Sequence, residues 1–226
     1  MDKSQNQEEW DKTEKEFLEY LKNNYFNEIR KDILLLREKD ASSIKSQLCL
    51  AFILADAFSR IHRIFQGVRG EDLDRENEKR FREWIDRFVL TGENMEYEKH
   101  RDSMDYDSKT LWGLRNSFLH FYSFPPTEKT SGYLVIGSGL QKEFNEKISE
   151  KLKDKDHPVN YIDGYYLIEA IFQGFLVQLQ FLAKIINNDP DNYVKHVSYA
   201  HEILGSQSGQ PVPFDDFEKY YKGREN

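Results

Sequence analysis

Apolar residues recur along the chain at the spacing of helices, and short polar breaks divide them. From about Glu8 to Lys39, the residues Trp10, Phe17, Leu18, Leu21, Tyr25, Ile29, Ile33 and Leu36 fall mostly three and four apart, which predicts one packed face and one charged face. Ser42 or Ser43 is placed to cap a second helix through about Phe65. Leu48 to Ala55 within it is apolar on every side, so a central path through the domain is expected. Gly67 and Gly70 are positioned to close this helix. A third helix is expected from about Asp74 to Leu90 on Phe81, Trp84, Ile85, Phe88 and Val89, with Gly92 and Asn94 ending it. A fourth spans about Ser108 to Phe121, shortly before Pro125 and Pro126.

Beyond the double proline the pattern changes. Tyr133 to Ile136 reads as a short strand, followed by Gly137-Ser138-Gly139 and a charged helix from about Gln141 to Lys153. Val159 to Ile162 is a candidate partner strand. Asp163 is then the expected cap of a long apolar helix from about Tyr165 to Asn187. A last helix, about Asp191 to Leu204, gives way to the Gly- and Ser-rich run Gly205 to Pro211. No internal repeat is visible. The expected fold is mainly all-α, a helical bundle with a small two-stranded β insertion. It forms one domain over residues 1–204, with a flexible tail over 205–226.

Composition narrows the picture. With 226 residues the chain is long enough to bury a sizeable core, and 14% aromatic content argues against disorder. The formal charge of −8 disfavours a broad nucleic-acid-binding surface but leaves room for a local basic cleft. Cys49, between Leu48 and Leu50, reads as a small core residue and has no second Cys to pair with. The N-terminal residues lack an apolar signal region. Leu48 to Phe58, taken as the longest greasy run, is interrupted by Asp56 and too short to span a bilayer, so a cytoplasmic protein with no membrane partner is expected.

The chemistry gathers at Arg115-Asn116-Ser117-Phe118-Leu119-His120, near the end of the fourth helix. On a helical wheel of about 100° per residue, Leu111, Leu114, Phe118 and Tyr122 share one stripe. Arg115 falls within that stripe, and His120 points roughly to the opposite side. A permanently charged guanidinium on an apolar face requires a partner or a polar ligand. Asp56, the lone acid of the apolar second helix, is the natural counter-ion. The imidazole of His120 is suited to moving protons near neutral pH. These residues support two readings: a phosphate-handling site, or a structural ion pair beside a surface histidine.

The stretch resembles the R-[polar]-x-x-x-H signature of HEPN domains, an all-helical superfamily that includes many ribonuclease toxins and defence nucleases. Arg115, Asn116 and His120 carry the resemblance, and Tyr122 extends it to the R-x-x-x-x-H-x-Y form of toxins paired with nucleotidyltransferase antitoxins. The likeness covers a core of about residues 42–124, elaborated by 133–204. It implies RNA cleavage without metal or other cofactor, in which the 2′-hydroxyl attacks the adjacent phosphate. His120 would move protons, Arg115 would stabilise the phosphorane, Asn116 would hold the phosphate or orient the Arg, and Asp56 would support Arg115. The resemblance further implies a homodimer that brings two motifs together, RNA as partner, and Tyr122 as the position that an antitoxin modifies. The alternative is a non-catalytic helical module for interaction or nucleotide binding, with Tyr122 a core-edge aromatic.

Other candidates carry less. Gly137-Ser138-Gly139 lacks the Lys-Ser/Thr pair of a phosphate loop and reads as a tight turn. Arg60-Ile61-His62-Arg63 is a small basic cluster placed either to line a cleft or, the favoured reading, to face solvent. His100, His157, His196 and His201 are scattered, and the five-residue spacing of the last two is poor for ligating a metal from one helix.

Overall fold

The computed structural model describes residues 17–40, 43–73, 75–101, 106–121, 133–137, 159–189, 193 and 195–200. These residues are overwhelmingly helical, as the apolar spacing requires. Helix runs from residue 17 through a π-turn, Lys22–Asn27, into α1 (Glu28–Lys39). The central helix α2 (Ile44–Phe65) follows. A 3-10 turn (Gly70–Leu73) leads to α3 (Asn77–Trp84), which continues as a second π-turn, Ile85–Val89. Then come α4 (Met95–His100), α5 (Ser108–Phe121), strands β1 (Tyr133–Gly137) and β2 (Val159–Asp163), and the long helix α6 (Gly164–Asn188). The two strands pair in parallel, Val135 opposite Tyr161. The residues predicted as helix over 8–16, 141–153 and beyond 200, the Ser138-Gly139 turn, Tyr122 and the tail all lie outside the described residues.

The core is built where α1, α3, α5 and α6 meet α2. Phe52, Phe58, Phe81, Trp84, Leu111, Leu114 and Phe175 are fully buried in it. Each such large apolar side chain contributes about 1.5–3 kcal/mol on leaving water. One expectation for α2 needs correction. Ile53 lies in its all-apolar stretch yet is 47% exposed, so α2 keeps one edge at the surface. The same edge carries Asp56.

The third helix also differs from its expected form. It is interrupted at Ile85, where Leu90 N donates five residues back to the Ile85 carbonyl over 2.8 Å. A π-turn of this kind widens the coil by one residue. Ile85, Phe88 and Val89 are all buried there. Asn94, expected to end this helix, instead starts α4. Its Oδ1 accepts from Tyr97 N, and its Nδ2 donates to the carbonyls of Phe88 (3.0 Å) and Ala170 (2.8 Å). At the start of α2, Ser43 occupies the cap position without capping. Its hydroxyl donates to Leu36 O at the end of α1. Asp163 does cap α6, accepting from Tyr165 N and Tyr166 N. Gly67 and Gly70 take positive φ beyond α2, where a side chain would strain the backbone.

The expectation that no segment reaches membrane-spanning length is corrected by α6. Its 25 residues are long and apolar enough to cross a bilayer by length and composition. Two of its polar side chains are, however, spent on neighbouring helices. Glu169 accepts from Arg37, and Gln178 Oε1 accepts from the Trp84 indole over 2.7 Å while its Nε2 donates to Phe58 O. Such an arrangement describes a bundle's inner helix.

Candidate functional site

Arg115 rises from the buried stripe of α5 towards α2. Leu111 and Leu114, which precede it on the same stripe, are fully buried, so the helix cannot rotate the guanidinium outward without exposing them. Its Nη2 donates to Asp56 Oδ2 over 2.9 Å, and its Nη1 donates to Asn116 Oδ1 over 2.8 Å. The guanidinium also lies 5.0 Å from the centroid of the Trp112 ring, close enough for a cation–π contact. Its side chain is 13% exposed and that of Asp56 is 23% exposed, so the pair sits at the rim of the core. Arg115 Nε is buried with no hydrogen-bond acceptor among the described residues.

Asp56 holds a second cation that the sequence reading missed. Arg80 Nη2 donates to Asp56 Oδ1 over 3.1 Å. The Arg80 side chain is 1% exposed, and its other donors are fixed: Nε to Ser59 Oγ (3.0 Å) and Nη1 to the Leu73 carbonyl (2.6 Å). Ser59 Oγ in turn donates to the Asp56 carbonyl oxygen. One signal could have found it. Arg80, Trp84 and Phe88 fall four apart, which puts Arg80 on the apolar stripe of α3, where an unpaired cation would be costly.

His120 stands on the last turn of α5 and is exposed. A separation of five residues turns it about 140° from Arg115 around the helix axis. The structure thus joins Arg115, Asn116 and Asp56 in one hydrogen-bonded group and leaves His120 on a different face of the same helix. Cys49 is half-buried, and burial pushes its thiol pKa up. Its Sγ lies 3.8 Å from the Phe118 carbonyl, a weak tie between α2 and α5.

The basic cluster on α2 is not simply solvent-facing. Ile61 and His62 are buried. His62 lies edge-on to Phe88 and Phe181, its Nε2 is 3.0 Å from Gln66 Nε2, and its Nδ1 is buried with no partner among the described residues. Burial, with Arg87 and Arg63 nearby, lowers its pKa to about 4. Neutral imidazole is therefore its resting form, a packing role. His196 Nδ1 lies 2.7 Å from Ile64 O and 2.6 Å from Arg69 Nη2, at the carbonyl end of α2. His100 stacks on Tyr166. Among the described residues no three His, Cys, Asp or Glu side chains gather as metal ligands.

A shallow groove elsewhere is lined by Glu76, Glu78, Lys79, Arg82, Glu83 and Asp86. Its acids outnumber its cations, a poor match for a phosphate. No family model, curated protein or solved structure matches the chain.

Proposed function

We propose that this chain is a HEPN-like endoribonuclease, a toxin or phage-defence effector, that cleaves RNA through attack of the 2′-hydroxyl on the adjacent phosphate without a metal ion. The observation that carries this reading is the tethering of Arg115. Asp56 and Asn116 hold its fork in one orientation, and a cation that need not reorganise is what a developing phosphorane requires. His120, exposed one and a half turns later, is accessible to act as base and then acid. Asn116 orients the guanidinium through its carboxamide oxygen.

The separation of Arg115 and His120 around the helix is resolved in this proposal by a homodimer. Two copies of α5 facing one another would offer the His120 of one chain beside the Arg115 of the other. An antitoxin of the nucleotidyltransferase type, acting on Tyr122, completes the proposed set of partners.

The test is incubation of the purified chain with RNA in EDTA. Fragments ending in a 2′,3′-cyclic phosphate and a 5′-hydroxyl are expected, and Arg115→Ala and His120→Ala should each remove them. Undiminished cutting by either folded variant defeats the proposal. One specific observation favours the second reading, a non-catalytic helical module: the Arg115 side chain is largely buried and already ion-paired. That reading predicts no cleavage and partner binding indifferent to His120→Ala.

A further inference from the structure

We propose that Arg80 is a positioning residue for Arg115, acting by keeping one oxygen of Asp56 occupied so that the carboxylate can hold Arg115 by a single bond. The proposal rests on the reading of Arg115 as the cation that meets the RNA phosphate.

A carboxylate and a guanidinium left to themselves favour the two-bond fork, which draws both oxygens and one whole edge of the Arg into the pair. Here that fork is prevented. Asp56 Oδ1 is taken by Arg80, and only Oδ2 reaches Arg115. Arg80 cannot swing away to release it, because Ser59 and the Leu73 carbonyl fix two of its other nitrogens and its side chain is buried. Arg115 therefore spends one Nη2 hydrogen on Asp56 and one Nη1 hydrogen on Asn116. Among the described residues the second hydrogen on each of these nitrogens has no acceptor and remains for an anion. Without Arg80, Asp56 Oδ1 is free to close the fork and take one of them.

The experiment measures binding of a short 2′-O-methyl RNA, which lacks the attacking hydroxyl, by fluorescence anisotropy of the full chain. Circular dichroism verifies the fold of each variant. Arg80→Met should weaken binding about tenfold, as a closed ion pair competes with the phosphate. Arg80→Lys, whose ammonium can still occupy Oδ1, should restore binding to within about threefold of the parent. The double variant Arg80→Met/Arg115→Met should bind no worse than Arg115→Met alone, because both changes act through one guanidinium. Parent-like binding by folded Arg80→Met, or additive losses in the double variant, overturns the positioning role while leaving the nuclease reading standing. Binding indifferent to Arg115→Met also overturns the role of Arg80, whereas the nuclease reading stands or falls by the cleavage assay with Arg115→Ala and His120→Ala. Should Arg80→Met not fold, Asp56→Asn decides on cleavable RNA. With Arg115 untethered, KM should not rise while kcat falls about tenfold; a raised KM with unchanged kcat overturns the proposal.

Discussion

Gly174 on α6 approaches the π-turn after α3 so closely that a Cβ placed there would stand 2.8 Å from the carbonyl oxygen of Phe88 and 2.9 Å from Val89 Cγ2. The obstacle is backbone, and the same carbonyl is held by Asn94, so it has little room to yield. In an unconstrained helix, Gly→Ala would stabilise by about 1 kcal/mol. Here the clash reverses the sign. Gly174→Ala should destabilise the protein by about 2 kcal/mol or more, read as a lower urea midpoint with unchanged slope. A stabilised variant would show that α6 can slide away from the π-turn.

The two ends of the ion-pair group should respond unequally to truncation. Arg115→Ala leaves Asp56 bound to Arg80, so a loss of about 1 kcal/mol is expected. Asp56→Ala removes the acid from beside a fully buried Arg80 and should cost about 3–5 kcal/mol. His120→Ala, at an exposed position, should stay within about 0.5 kcal/mol of the parent. Thermal melts of the three variants measure this order. If Arg115→Ala is as damaging as Asp56→Ala, the guanidinium is mainly structural, and loss of cleavage in that variant would carry no catalytic meaning.

The buried imidazole makes stability depend on pH. In the unfolded chain His62 binds a proton near pH 6.5, and in the folded protein only near pH 4. Between these values the unfolded state holds more protons, so acidification favours unfolding. The stability that His62 contributes is complete above pH 6.5 and is lost as the pH falls towards 4, about 3 kcal/mol in all. His62→Leu should flatten the stability–pH curve across this window by up to one proton's slope. An unchanged slope would mean that the ring is reached by solvent in the native state.

Trp84 and Gln178 offer a separate probe of the core. Gln178→Leu strands the buried Trp84 indole N–H and takes a donor from the Phe58 carbonyl, so a loss of about 2 kcal/mol is expected. Trp84→Phe/Gln178→Leu should recover part of it, because the indole no longer seeks an acceptor. Chemical denaturation of the single and double variants measures the coupling.

How much of this was legible beforehand varies with the range of the interaction. The boundaries of α2, α5 and α6 follow from local periodicity and from side chains acting on their own backbone, such as Asp163 at the start of α6. The pairing of Arg115 with Asp56 was also within reach, since each is a charge on an apolar stripe and needs the other. Arg80 escaped notice because α3 is rich in charge, and among so many cations only its spacing with Trp84 and Phe88 marks it as buried. The π-turn packs against Gly174, and Asn94 Nδ2 binds the Ala170 carbonyl, contacts with residues far along the chain.

The sequence by itself therefore determined the helical class, the buried stripes and the residues able to carry chemistry, because these depend on spacing and on the intrinsic properties of side chains. Only the tertiary structure decided how charge is shared at Asp56 and which histidine is buried. Those outcomes depend on which helices meet and at what rotation, and hydrophobic burial summed over the whole bundle sets that rotation.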